Sequence, residues 1–262
     1  MPQPMLLTIV ALLGLAVGSF LNVVIYRVPR DESLVHPRSH CPACGTEIRN
    51  KHNVPVLGWL LLRGRCAACE TPISPRYPLV EFGTAVLFVA VAARFGFSWE
   101  LPAYLYLAAI SVALAVIDLD VMRLPDKIVL PSYAVSLILI APAVIAERSW
   151  SAAGRALLAA VVLYLGYFIL SAMPRGMGGG DLKLAPLLGF HLGWLGWSSV
   201  VIGAFAAFLL GGLVAAVLMV LRRVNRKSRI PFGPYMLAGA FLAVFAAAPI
   251  AQWYSSLLVP TV

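Results

Sequence analysis

Residues 184–221 read LAPLLGFHLGWLGWSSVVIGAFAAFLLGGLVAAVLMVL and contain no Asp, Glu, Lys or Arg. A helix needs about 20 residues to cross the hydrocarbon core of a bilayer, so this stretch is too long for one crossing. It fits a hairpin of two helices that turns near Gly193–Ser199, with a short first leg that either spans or re-enters. The stretch therefore predicts an integral membrane protein.

The rest of the chain has the same character. Of 262 residues, 61% are hydrophobic and only 12% are charged, and the mean hydropathy is +0.90. These values exclude ordinary soluble, disordered and coiled-coil chains. We expect an all-α polytopic membrane protein with about eight transmembrane helices, or seven if the first leg of the hairpin does not cross. The other candidate spans are Met5–Tyr26, Pro78–Ala93, Leu101–Ile117, Ile128–Ala146, Ala156–Met173 and Pro231–Tyr254.

The net charge of +9 follows the membrane topology. If the N-terminus is outside, every Lys and Arg except Arg94, Arg148 and Arg155 falls on one side, which the positive-inside rule makes cytoplasmic. Both termini are then outside, and the charge gives no reason to expect nucleic acid. A basic cluster on the cytoplasmic side also suits anionic membrane lipid: Arg222, Arg223, Arg226, Lys227 and Arg229.

The four cysteines form two C-x-x-C pairs in the longest polar segment, residues 28–77: Cys41, Cys44, Cys66 and Cys69. Two such pairs are typical of a tetrahedral zinc site. Disulfides are disfavoured in a reducing cytoplasm, and a thioredoxin-like pair would need a βαβ unit. We predict three regions: a first transmembrane helix (1–27), a cytoplasmic four-cysteine zinc insert (28–77) and a transmembrane bundle (78–262).

Two aspartates lie at span ends on the predicted cytoplasmic boundary. Asp118 ends the third span, and Asp181 follows the glycine-rich sequence Gly178-Gly179-Gly180. Acidic residues near a bilayer are costly to desolvate and indicate function. Two facing carboxylates cannot easily both ionise, so one keeps a proton while the other acts as a base, and such a pair can activate water against a peptide bond.

Other protease chemistries lack their motifs, because neither H-E-x-x-H nor G-x-S-x-G occurs. Asp120 is an alternative to Asp118 as the catalytic residue. Asp126 is interpreted as a solvated loop residue balanced by Arg123 and Lys127. Glu81 is either a polar residue held by Arg76 or a residue of the site.

Several motifs together resemble the bacterial type IV prepilin peptidases, a group of GxGD intramembrane aspartyl proteases. The resemblance covers nearly the whole chain. It rests on residues 18–27, the cysteine pairs, residues 73–81, the Asp118–Asp126 segment, Gly178–Asp181 and Pro231-Phe232-Gly233-Pro234.

The resemblance implies a function. It makes Asp118 and Asp181 the catalytic pair, because Asp118 stands seven residues before Pro125 and Asp181 ends the G-x-G-D motif. Gly178, Gly180 and Lys183 belong to the same motif and are expected to support the substrate or the motif itself. The family cleaves the basic leader from type IV prepilins and type II secretion pseudopilins at the cytoplasmic face of the bacterial inner membrane.

The family then methylates the new N-terminal residue, usually Phe, with S-adenosylmethionine. Retention of all four cysteines favours this bifunctional form over a peptidase alone. No residue of the S-adenosylmethionine site is identified, since the G-x-G-x-x-G fingerprint is missing. Two other classes are alternatives: a transporter, which would need carboxylates near the membrane midplane, and a non-enzymatic scaffold that docks through the zinc insert, which would not need both aspartates.

Overall fold

The computed structural model describes residues 2–49, 52–173, 177–225, 228 and 230–258, and these residues are mainly helical. Of the predicted lipid-facing basic cluster, Arg226, Lys227 and Arg229 lie outside the described residues. The α-helices are α1 (Gln3–Arg27), α2 (Leu57–Leu61), α3 (Arg76–Phe95), α4 (Leu101–Val121), α5 (Asp126–Glu147), α6 (Trp150–Ala172), α7 (Gly179–Leu195), α8 (Trp197–Val220) and α9 (Gly233–Leu258).

The all-α membrane architecture is confirmed. Within the described residues, seven helices are long and apolar enough to cross a bilayer: α1, α3, α4, α5, α6, α8 and α9. The hairpin is also present, and its turn is at Gly196, between α7 and α8, where φ is +144°. Strand-like pairing in the described chain consists of two isolated bridges, His40 with Glu47 and Arg65 with Pro72.

Helix α7, the first leg of the hairpin, has 17 residues, which corresponds to about 25 Å at 1.5 Å per residue. Its last carbonyls accept hydrogen bonds from Arg155, whose Nε lies 2.7 Å from the Gly193 oxygen and whose Nη2 lies 2.8 Å from the Trp194 oxygen. The expected start of the preceding span at Ala156 was wrong. Helix α6 begins at Trp150, and Arg155 lies within it with its charged group directed at the last carbonyls of α7.

The chain divides into two compact units, Met1–Ile117 and Asp118–Val262. In the first unit α1 packs closely on α3: a Cβ on Gly18 would stand 2.7 Å from the Cα of Glu81. Glu81 is only 9% exposed, and its Oε2 accepts the Val56 backbone N–H at 2.7 Å. Its carboxylate therefore joins α3 to the cysteine-bearing segment, a role that the sequence did not indicate.

In the second unit α6 and α7 are packed backbone against backbone. A Cβ on Gly193 would lie 2.5 Å from the Ala159 Cβ and 2.9 Å from the Ala156 Cα. Helices in lipid gain little from the hydrophobic effect, so close packing of small residues supplies much of their association. This contact fixes the position of α7, the helix that carries Asp181.

We expect Gly193→Val to destabilise the second unit, because the new side chain would overlap α6. Overpacking of this kind costs about 1–3 kcal/mol, and thermal unfolding in detergent would measure it. The matched control is Gly166→Val on α6, where an added Cβ meets no atom within 4 Å. Equal effects of the two substitutions would contradict the role given to the α6–α7 contact.

Candidate active site

Asp118 lies in the last turn of α4 and is 4% exposed. Its Oδ2 accepts a hydrogen bond from the backbone N–H of Gly233, the first residue of α9, at 3.1 Å. A Cβ at position 233 would lie 2.7 Å from that same oxygen, so a side chain there would displace the Asp118 carboxyl group. The hydrogen bond joins residues that are 115 positions apart in the chain.

Asp181 lies in the first turn of α7, three residues after Gly178, the residue at the N-cap of the helix. Its Oδ2 lies 3.6 Å from the position of a Cβ on Gly178, and the backbone N–H of Gly178 interacts favourably with its negative charge. This geometry is half of a capping box, in which an acidic residue satisfies an otherwise unpaired donor at the start of a helix. The N-terminal end of the helix dipole also favours a negative charge there.

Leu124 lies between the glycine segment next to Asp118 and the glycine segment next to Asp181. It is buried in the segment between α4 and α5, and its side chain lies within 3.3 Å of the position of a Cβ on Gly233. The corresponding position on Gly180 is 3.1 Å from the Leu124 Cβ. The glycine that contacts Asp118 and the glycine that precedes Asp181 thus pack on one side chain. The two carboxyl groups are near enough to interact electrostatically.

An aromatic cluster stands behind the Gly233 contact. Phe232 lies 5.1 Å from Phe208 and 6.5 Å from Tyr167 between ring centroids. Tyr167 is buried and also interacts electrostatically with Asp181. The rings hold the start of α9 in place, because Phe232 is fixed directly before Gly233.

The other acidic residues of this region take different positions. Helix α4 continues to Val121, so Asp118 and Asp120 point about 200° apart, and Asp120 is exposed. Asp126 begins α5, and both of its carboxylate oxygens lie 2.8 Å from the Lys183 Nζ. The sequence did not indicate this ion pair, which connects the segment after Asp118 to the helix of Asp181.

The four cysteines of the first unit form one cluster. Their Sγ atoms all lie within 4.8 Å of one another, and those of Cys41 and Cys69 are 3.8 Å apart. Thiolates on a tetrahedral zinc ion with bonds of about 2.3 Å stand about 3.8 Å from each other. The donor set and its spacing are therefore compatible with zinc.

The two cysteine pairs are built alike. In each, the first cysteine N–H donates to a threonine carbonyl five residues later at 2.9 Å, from Cys41 to Thr46 and from Cys66 to Thr71. Each turn contains a residue with positive φ, Gly45 at +70° and Glu70 at +56°. The repeated C-x-x-C-x-T pattern was a sequence signal for this turn that the cysteine spacing alone did not provide.

Hydrogen bonds prepare three of these thiols to become thiolates. Contacts with the Thr46 hydroxyl and backbone N–H lower the pKa of Cys44, and the same groups of Thr71 lower the pKa of Cys69. The backbone N–H groups of Ala68 and Cys69 lower the pKa of Cys66. Since the thiolate is the form that binds a metal, these contacts favour ligation.

Two family models match the chain. A model described as the bacterial peptidase A24 N-terminal domain covers residues 12–95, and one described as the type IV leader peptidase family covers residues 105–220. The first match includes the cysteine pairs, and the second includes Asp118 and Asp181. No solved structure matches the chain.

Curated relatives share most of their length with this chain. The prepilin leader peptidase/N-methyltransferase of Aeromonas hydrophila is 38% identical, over 94% of this chain and 93% of the relative. The proteins of the same name from Pseudomonas putida and Neisseria gonorrhoeae are 40% and 38% identical and cover at least 90% of both chains. The resemblance inferred from the motifs is confirmed, and the chain belongs to the type IV leader peptidase family.

Proposed function

We propose that this protein cleaves the leader peptide from type IV prepilins and then methylates the amine that cleavage exposes. The observation that carries the proposal is the pair of aspartates at helix ends, each contacted by a glycine backbone N–H. The names of the relatives carry both activities, which supports the bifunctional form over a peptidase alone. Incubation of the purified protein with a prepilin and labelled S-adenosylmethionine tests both steps.

In the proposed mechanism Asp118 and Asp181 share the work of general acid and general base. Two interacting carboxyl groups hold one proton between them, so one accepts a proton from water while the other donates to the departing amine. The water oxygen bonds to the peptide carbonyl carbon, and the carbon–nitrogen bond then breaks. Gly233 and Gly178 hold one aspartate each, and Leu124 keeps the two glycine-bearing segments together.

Asp118 and Asp181 should lie at the cytoplasmic face of the bacterial inner membrane. The distribution of Lys and Arg supports this orientation, with the cysteine segment on the same side and both termini outside. An orientation with both termini outside requires an even number of crossings, and therefore requires α7 to cross the membrane as the eighth helix. Capping by Arg155 supports a short crossing, because the last carbonyls of α7 are satisfied inside the protein. Type II secretion pseudopilins are proposed as further substrates, and anionic lipid as a contact of the basic cytoplasmic residues.

Zinc is proposed from the geometry of the cysteines, whereas S-adenosylmethionine is proposed from the names of the relatives. Zinc is proposed as a structural ion held by Cys41, Cys44, Cys66 and Cys69, which would add folding free energy to a segment too short to build much of a core. S-adenosylmethionine is proposed as the methyl donor on the basis of the relatives' name. Its site is left unassigned.

We expect Asp118→Asn and Asp181→Asn each to lower leader cleavage by about 10³-fold or more. Asparagine keeps the volume of the side chain but removes the group that exchanges protons. Cleavage of a purified prepilin, followed by gel mobility at equal enzyme concentration, measures the effect.

The matched control for this pair is Asp120→Asn, two residues from Asp118 and exposed. It should retain most of the cleavage activity. An inactive Asp120→Asn together with an active Asp118→Asn would mean that the dyad is wrongly assigned.

The cysteine cluster should hold one zinc ion per chain, measurable by elemental analysis of protein purified without chelators. Cys41→Ser removes a thiolate, so we expect it to lower the zinc content and the thermal stability of the first unit. His40→Ala is a control from the same segment that leaves the four sulfurs in place. Wild-type protein with almost no zinc would contradict the proposal.

Cleavage and methylation should separate by mutation, because methylation acts on an amine that already exists in a cut substrate. Asp181→Asn should abolish cleavage yet still methylate a synthetic substrate that begins with Phe. Transfer of label from S-adenosylmethionine measures this step. Loss of both activities on the cut substrate would indicate one shared site.

A further inference from the structure

The second unit contains a connection between α5 and α7 that the cleavage chemistry does not use. Lys183 Nζ lies 2.8 Å from both carboxylate oxygens of Asp126, a bidentate ion pair. Two turns further along α5, the Tyr133 hydroxyl donates a hydrogen bond to the main-chain carbonyl of Lys183. One residue of α7 is thus held by its side chain and by its backbone.

Lys183 follows Asp181 by two residues in the first turns of α7. Residues two apart on a helix point about 200° away from each other, so the Lys183 side chain leaves the helix on the side opposite the Asp181 carboxyl group. Its ammonium group is occupied by Asp126. This geometry disfavours a direct contact of Lys183 with the scissile bond and favours a role in holding the helix.

The start of α7 needs such support. The residues before Asp181 are glycines, and an added Cβ on Gly179 would meet no atom within 4 Å. The first turn of a helix lacks internal partners for its N–H groups and frays readily. Asp126 is the first residue of α5 and follows Leu124, the residue on which Gly180 packs, by two positions. The ion pair therefore also restrains the backbone next to Leu124.

We propose that Asp126, Lys183 and Tyr133 form a clamp that positions Asp181 for cleavage, with Lys183 as a positioning residue instead of a substrate contact. The inference rests on the proposed peptidase function. A displacement of a catalytic group by about 1 Å can lower a rate by about 10²-fold, so a modest ion pair can have a large kinetic effect. The clamp should act on kcat more than on KM, since its groups do not contact the substrate.

The test compares variants of the full-length protein in cleavage of a prepilin. Asp126→Asn and Lys183→Met should each lower kcat by about tenfold while KM changes by less than about twofold. The double variant should be no slower than either single one, because both remove the same interaction. Lys183→Arg keeps the charge and should restore most of kcat. Glu147→Gln, an equal charge change at the other end of α5, is the control and should leave kcat unchanged.

Methylation of a substrate that is already cut reports whether each variant is folded and should be unaffected. Multiplicative losses in the double variant, or equal losses in Lys183→Met and Lys183→Arg, would overturn the clamp. A wild-type kcat in both Asp126→Asn and Lys183→Met would also overturn the clamp, while leaving the proposed peptidase function intact. Absence of cleavage by the wild-type protein would instead reject the proposed function. If Lys183→Met does not fold, Lys183→Arg and Asp126→Asn decide the question.

Discussion

A carboxylate at the edge of a bilayer loses its water and must find other donors, and the second unit is arranged around this requirement. Asp118 accepts a hydrogen bond from Gly233 at the start of α9, and the negative charge of Asp181 interacts with the backbone N–H of Gly178 at the start of α7. Helix starts carry unpaired N–H groups, so they can supply donors without exposing any new polar group. The ends of α4, α7 and α9 must therefore meet.

Packing without a hydrophobic driving force keeps these helix ends in place. Gly193 lets α7 touch α6 through the backbone, and Arg155 satisfies the carbonyls at the far end of α7. Gly193 and Arg155 hold the C-terminal end of α7, so its first turn depends on other contacts for its position. The ion pair of Lys183 with Asp126 and the contact of Gly180 with Leu124 act at that turn.

Much of this arrangement could be predicted from the sequence, because it depends on local patterns. The uncharged hairpin, the cysteine spacing and the seven-residue step from Asp118 to Pro125 are all short-range features. The partners of these residues could not be predicted in the same way. Gly233 is 115 positions from Asp118, and the distance between Asp126 and Lys183 depends on how α5 and α7 pack. The sequence Pro231-Phe232-Gly233-Pro234 was recognised as a motif, but it gave no indication that Gly233 would contact Asp118.

The boundary between the two family matches lies close to the boundary between the units but does not coincide with it, because the peptidase match begins at residue 105, inside the first unit. The N-terminal model, residues 12–95, falls within the first unit and includes the cysteine cluster with its own hydrogen-bonded turns. The peptidase model, residues 105–220, includes both aspartates but ends before Gly233. Every contact described for Asp118 and Asp181 is made by a residue of the second unit. The contacts described for the cysteine turns and those described for the two aspartates therefore lie in different units of the chain.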